Sequence, residues 1–307
     1  MNRITHSIVL VGFSIWFVVA ITSCNNDNSN SGNTTNIEDS IDTQVSNDSS
    51  ANQLIVFNGV VFSIPSPYET AITIKKKNID FNSDLLNPIE NDERYTDNFK
   101  KALNLGVYGA DLAYLNIYEQ GPSAIKYFTK VKLMAQSLDI ASVFDKELMQ
   151  RIEKNMGNKD SLMHIISGSY RKADEFLKNN QRPEISALVL TGGFVESLYM
   201  MVSIVKDNPD KELLYRLGEQ KNPLENLIKV LSPYYGQSDS YAKLIDAFVD
   251  LAYEFDGIDV QYHYEKTDVF PDKKLTVVNS TTDVVISDEQ MKEIVRLTNV
   301  IRNFVIE

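Results

Sequence analysis

Apolar residues along most of this chain recur three or four positions apart, the spacing that lays one stripe along an α-helix. Phe99, Leu103, Val107, Ala110, Tyr114 and Ile117 form the first such stripe, which Gly121-Pro122 ends. Ala124, Phe128, Val131, Ala135 and Leu138 form the next. The same period predicts helices over 143–156, 159–179, 183–205, 210–231 and 238–255, separated by Gly/Asn/Pro-rich breaks. A last stripe of Met291, Ile294, Leu297, Ile301 and Val305 follows Ser287-Asp288-Glu289-Gln290, which has capping-box spacing. Two regions depart from the period. Residues 54–77 are β-branched and aromatic, broken by Pro65-Ser66-Pro67, and the alternation at Ile72 and Ile74 predicts short strands or an extended segment. Residues 262–286 turn strand-like around Leu275, Val277 and Val278 and again at Asp283-Val284-Val285-Ile286. The expected fold is mainly α, a multi-helix bundle or helical array. Short extended or β segments fall near the N-terminus and before the last helix.

The N-terminal pattern is of another kind. Arg3 precedes an apolar run over 8–21, roughly 21 Å as a helix, where a bilayer core of roughly 30 Å needs about 20 residues. A signal peptide over residues 1–23 fits this better than a permanent span. The run closes on Ile21-Thr22-Ser23-Cys24, which resembles the bacterial lipobox. That resemblance implies cleavage before Cys24, a diacylglyceryl thioether on Cys24, and acylation (palmitate in kind) of the new N-terminus. The membrane is then a partner through the N-terminal lipid.

Residues 24–53 hold the lipidated Cys and a tether of Asn, Ser, Thr and acids, with no Lys, Arg or aromatic residue. Such a composition buries too little apolar area to offset the entropy of ordering, so disorder is expected. A single mostly helical domain over 54–307 remains. The whole chain of 307 residues carries a formal charge of −12. Its acidity argues against nucleic-acid binding, and its single Cys excludes a disulfide framework or a Cys-rich zinc site.

Two helices carry interior glycine, Gly106 with Gly109 and Gly192 with Gly193. Each costs about 1 kcal/mol relative to Ala, so close helix packing should offset it. Both helices carry an acid-x-x-Tyr step, Asp111 to Tyr114 and Glu196 to Tyr199, which leaves open whether they are halves of a repeat. With Tyr108, Arg151 and His164 these residues form the candidate pocket or buried polar network. A satisfied inter-helix network is the simpler reading. A small-ligand sensor or enzyme pocket around Asp111, Glu196 and the tyrosines is the alternative.

The segments 104–114, 155–162 and 191–199, including Gly106-Val107-Tyr108-Gly109-Ala110-Asp111 and Thr191-Gly192-Gly193-Phe194, resemble those of an uncharacterised family of helical Bacteroidota lipoproteins. The resemblance extends over about 65–257. It implies a lineage and an envelope address but no activity. Asp39-Ser40-Ile41 is similar to the O-glycosylation motif of that phylum and makes Ser40 a candidate acceptor.

His263 and Glu265 lack a third ligand, so no metal is expected, and no cofactor is implied. Nucleophile elbows, phosphate loops and His-Glu-x-x-His are missing from the sequence, which argues against catalysis. The leading expectation is a lipid-anchored envelope protein binding a protein, peptide or glycan partner. Asn25 after Cys24 favours the outer membrane in a Gram-negative host and leaves the membrane face open. Because Trp16 and the Cys24 thiol are both consumed by processing, the mature protein should show tyrosine-only fluorescence and no titratable thiol. Tryptophan emission from the membrane-extracted protein would overturn the cleavage expectation.

Overall fold

A computed structural model of the chain describes residues 53–57, 60–140, 146–155, 158, 161, 165 and 182–307. Cys24, Ser40, His164 and most of the helix expected over 159–179 lie outside the described residues. The mainly α expectation holds, with short strands where the period breaks. A hairpin of β1 (Gln53–Phe57) and β2 (Val60–Ile64) leads into α1 (Pro67–Lys76). Then follow α2 (Asn98–Ile117), α3 (Gly121–Ser137), α4 (Lys146–Lys154) and α5 (Pro183–Asp207). Next come α6 (Lys211–Gly218), α7 (Lys221–Leu231) and α8 (Asp239–Asp256). Strands β3 (Asp259–His263), β4 (Asp268–Phe270), β5 (Leu275–Val277) and β6 (Thr281–Val285) precede α9 (Asp288–Ile306).

Two expectations need correction. Ile72 and Ile74 lie on α1, not on a strand. Ser66 caps that helix by accepting from the Tyr68 N–H, Pro67 takes its first turn, and Lys75 and Lys76 close it beside the negative end of the dipole. The single helix expected over 210–231 is two. Pro223 has no N–H to bond a carbonyl four residues back, so it is tolerated only in a first turn, and the chain restarts at Lys221. Gly121-Pro122 opens α3, as expected, and the left-handed Glu119, φ 60°, turns the chain out of α2 just before it.

Helix α5 is the axis of the bundle. It is long and apolar enough to cross a membrane, but 78% of its most apolar window is buried by the surrounding helices. Its main contact is with α2, and it is made backbone to backbone. A Cβ on Gly106 would lie 2.0 Å from the Val189 carbonyl oxygen, and one on Gly192 would lie 1.8 Å from that of Leu103. Glycine is therefore required at both positions, and close approach is what offsets its helix cost. The crossing fixes α2 and α5 with no side chain between them.

Helix α9 completes the core. Ser287 and Gln290 form the expected capping box, and Ile294, Leu297, Ile301 and Val305 are buried. Its final carbonyls, unpaired within any helix, are taken up by neighbouring side chains. Asn104 donates to Val305 O at 2.8 Å, Tyr95 to Ile306 O at 3.2 Å, and Lys100 to Phe304 O.

Adjacent glycines should therefore respond in opposite senses. Gly192→Ala is expected to cost about 2–3 kcal/mol in chemical unfolding through overpacking. Gly193→Ala, whose added Cβ would meet nothing nearer than 3.6 Å, should be neutral or stabilising by up to about 1 kcal/mol. Equal destabilisation by both would contradict the backbone contact.

Candidate functional site

The acids singled out from the sequence do meet. Asp111 on α2 and Glu196 on α5 are both fully buried, at 0% exposure. The guanidinium paired with Glu196 is that of Arg302 on α9. Its Nε donates to Glu196 Oε2 at 2.8 Å and its Nη2 to Oε1 at 2.7 Å, the bidentate fork that suits a carboxylate. The same Nη2 reaches Leu85 O at 3.4 Å, and the guanidinium carbon stands 3.8 Å from the centre of the half-buried Tyr199 ring.

Asp111 Oδ2 accepts from the Asn87 N–H at 3.2 Å, while Oδ1 receives no N–H or O–H donor. Burial and the Glu196 charge push the Asp111 acid well above its ordinary range, against the pull of Arg302 and the Asn87 N–H. Burial raises Glu196 as well, but the Arg302 charge and its hydrogen bonds oppose that rise directly. These directions favour the neutral form of Asp111, beside a Glu196 whose charge is held by Arg302. A single net charge then faces a single arginine, which is how a buried acid pair is accommodated.

The tyrosines serve a neighbouring task. The segment between α1 and α2 buries Leu85, Asn87 and Tyr95, and its backbone polar groups near the core need partners. Tyr108 OH donates to Pro88 O at 3.0 Å, Tyr127 OH to Asn87 O at 2.8 Å and Tyr118 OH to Ile79 O at 2.7 Å; Tyr114 OH accepts from the Asn82 N–H at 3.1 Å. Asn87, 0% exposed, is the hub of this segment. Its side chain donates to Tyr95 OH and Asn104 Oδ1 and accepts from Asn91.

Tyr108, Asp111, Tyr114, Glu196 and Tyr199 are therefore parts of one connected interior. Arg151 is not: it lies exposed on α4, whose inner face is Leu148 and Ile152. Arg302 holds the place the sequence suggested for Arg151. Asn87, Asn104, Tyr95 and Tyr127 were not singled out either. Among the described residues no three His, Cys, Asp or Glu converge as a metal would require. His263 instead lies 3.4 Å from Asp283 across the β3–β6 ladder.

The exposed counterpart of this sealed interior is an arm over 259–285. Strands β3 and β6 pair at its base, and β4 and β5 pair at its tip. Between the ladders, Glu265 and Ser280 exchange two hydrogen bonds of 3.1 Å, and Asn279 bonds Lys266 O and Asp268, each at 2.9 Å. Lys274, φ 47°, closes the tip turn. The arm leaves Tyr264 74%, Val278 68% and Val269 63% exposed, and Phe270 and Leu275 stand open beside them. An apolar surface of this kind on a projecting hairpin is what a recognition element presents. Comparison with protein-family models, curated proteins and solved structures finds no match to this chain.

The proton on Asp111 makes two expectations. Arg302→Met leaves an ionised carboxyl buried without its partner and should cost about 3–5 kcal/mol in denaturant unfolding. Asp111→Asn keeps a neutral donor in place and should be mild, within about 1 kcal/mol near pH 5. The wild type binds this proton more tightly folded than unfolded, so its stability from Asp111 is full below the unfolded carboxyl value and declines as pH rises above it. Asp111→Asn lacks that decline, and should gain on the wild type as pH rises above the ordinary aspartate value of about 3.9. Parallel stability–pH curves would show that Asp111 is ionised in the fold.

Proposed function

We propose that this chain is a lipid-anchored envelope protein, held through Cys24 and lifted on the tether over 24–53, whose helical body presents the arm to a protein, peptide or glycan partner. The observation that carries this reading is the contrast between the two polar-rich regions. Asp111 and Glu196 are sealed and already committed to Arg302 and Asn87, whereas the arm exposes Tyr264, Val269, Phe270, Leu275 and Val278 with no cover from the body. A sensor or enzyme using the acids would have to part α2 from α5, and these touch through their backbones at Gly106 and Gly192. The lipobox-like run and the residue after Cys24 support an outer-membrane address for this binding role.

The test is recovery of bound components from detergent-solubilised envelope by the full chain and by the double variant Phe270→Ser, Leu275→Ser. Both positions are exposed, so the far-UV spectrum and unfolding midpoint should stay unchanged while the specifically retained component falls at least tenfold. Equal retention by both chains would remove the tip from the binding surface.

A further inference from the structure

The base of the arm carries a second feature, distinct from its tip. Strand β6 is covered: Val284 packs on Gly218 of α6, where an added Cβ would come within 2.9 Å of it, and Asp283 pairs with Lys211 at 2.5 Å. Among the described residues strand β3 has β6 as its one strand neighbour, and all five of its residues are exposed. Its outer edge thus offers backbone donors and acceptors, with no proline or lysine among its five residues and one charged residue, Asp259, at its start.

The sequence of this edge, Asp259-Val260-Gln261-Tyr262-His263, is complementary to itself when reversed. In antiparallel register about Gln261, Asp259 faces His263 of a second copy, Val260 faces Tyr262, and Gln261 faces Gln261. The second is a favourable aromatic–β-branched pair; the first brings an imidazole, 3.4 Å from Asp283 of its own chain, to a carboxylate that accepts from Gln261 Nε2 at 2.6 Å, and the third sets two amides together. The faces also agree. Val260 and Tyr262 share a face with Val284 and Thr282, their partners on β6, while Asp259, Gln261 and His263 share the other with Asp283. Other registers fail. A slip of one residue sets Val260 against Gln261 and Asp259 against Tyr262, and a slip of two toward the tip sets Asp259 against Glu265.

We propose that two copies of this chain associate through β3, joining their hairpins into a four-stranded sheet β6–β3–β3–β6 with a two-fold axis at Gln261. The contact is short, below the roughly 1,000 Å² of a stable standing interface, so the dimer is a weak one. It leaves both tips free and doubles them, so the association stands whether or not the tip binds a partner.

The test is oxidative cross-linking of the full chain in detergent. Cys24→Ser removes the one cysteine, and single cysteines are then placed at Gln261 or, as an equally exposed control, at Tyr264. Gln261→Cys meets its own copy and should form disulfide dimer at least tenfold faster than Tyr264→Cys. Adding Tyr262→Lys, which sets a charge against Val260, should reduce that rate tenfold or more. Sedimentation equilibrium of the cysteine-free chain should show a concentration-dependent dimer that Tyr262→Lys abolishes, with the helical spectrum unchanged in both. A monomer at all concentrations, a dimer indifferent to Tyr262→Lys, or equal cross-linking at 261 and 264 would each overturn the proposal.

Discussion

The structure depends on the place where α2 and α5 touch without side chains between them. At Gly106 and Gly192 each helix leaves room for the other's carbonyls, and the two axes are held closer than any pair bearing Cβ atoms there would allow. That approach determines what happens nearby. Asn104, Tyr108 and Asp111 lie four and three residues apart, and so on one side of α2. Glu196 follows Gly192 by one turn of α5. Two carboxyls are thereby forced into the same dry interior, where they cannot both be ionised. The proton on Asp111 and the arginine against Glu196 are consequences of the glycine contact.

Arg302 extends the consequence to the C-terminal end. It draws α9 against α5, and side chains from α2 and the preceding segment then close the last carbonyls of α9. The loop around the buried Asn87 is tied in by tyrosine hydroxyls in the same way. A buried polar network of this kind favours one arrangement of helices over near alternatives more than it adds net stability. The arm is where apolar surface is left uncovered.

Much of this architecture is legible in the sequence wherever the signal is local. The capping box before α9, the apolar stripes of α2 and α3, and the glycine pairs all act within a turn or two of themselves. Some local signals are equally present but weaker to the eye. Ser66-Pro67 marks a helix start that the β-branched residues after it disguise, and Pro223 marks the restart between α6 and α7. The core polar set is half legible. Asp111 and Glu196 stand out as acids on apolar helices, yet their cation lies 106 residues beyond Glu196, a distance at which spacing carries no information. The available clue was Arg302 itself, a charge set in the buried stripe of α9 four residues after Thr298 and three before Val305. Arg151, on a short helix with a strongly charged outer face, had no such setting. Asn87 sits in an irregular segment whose burial depends on helices that precede and follow it, and no periodicity announces it.

The central claim is that the acids of α2 and α5 form a sealed, singly protonated pair. Carbon-13 NMR of the aspartate carboxyls, with Asp111→Asn used for assignment, tests it most directly. The Asp111 resonance should still hold the position of a neutral acid at pH values above the ordinary aspartate range of about 3.9. An Asp111 carboxyl that titrates in that range would contradict the account, since it would place an ionised, solvent-linked acid where the structure has a closed interior.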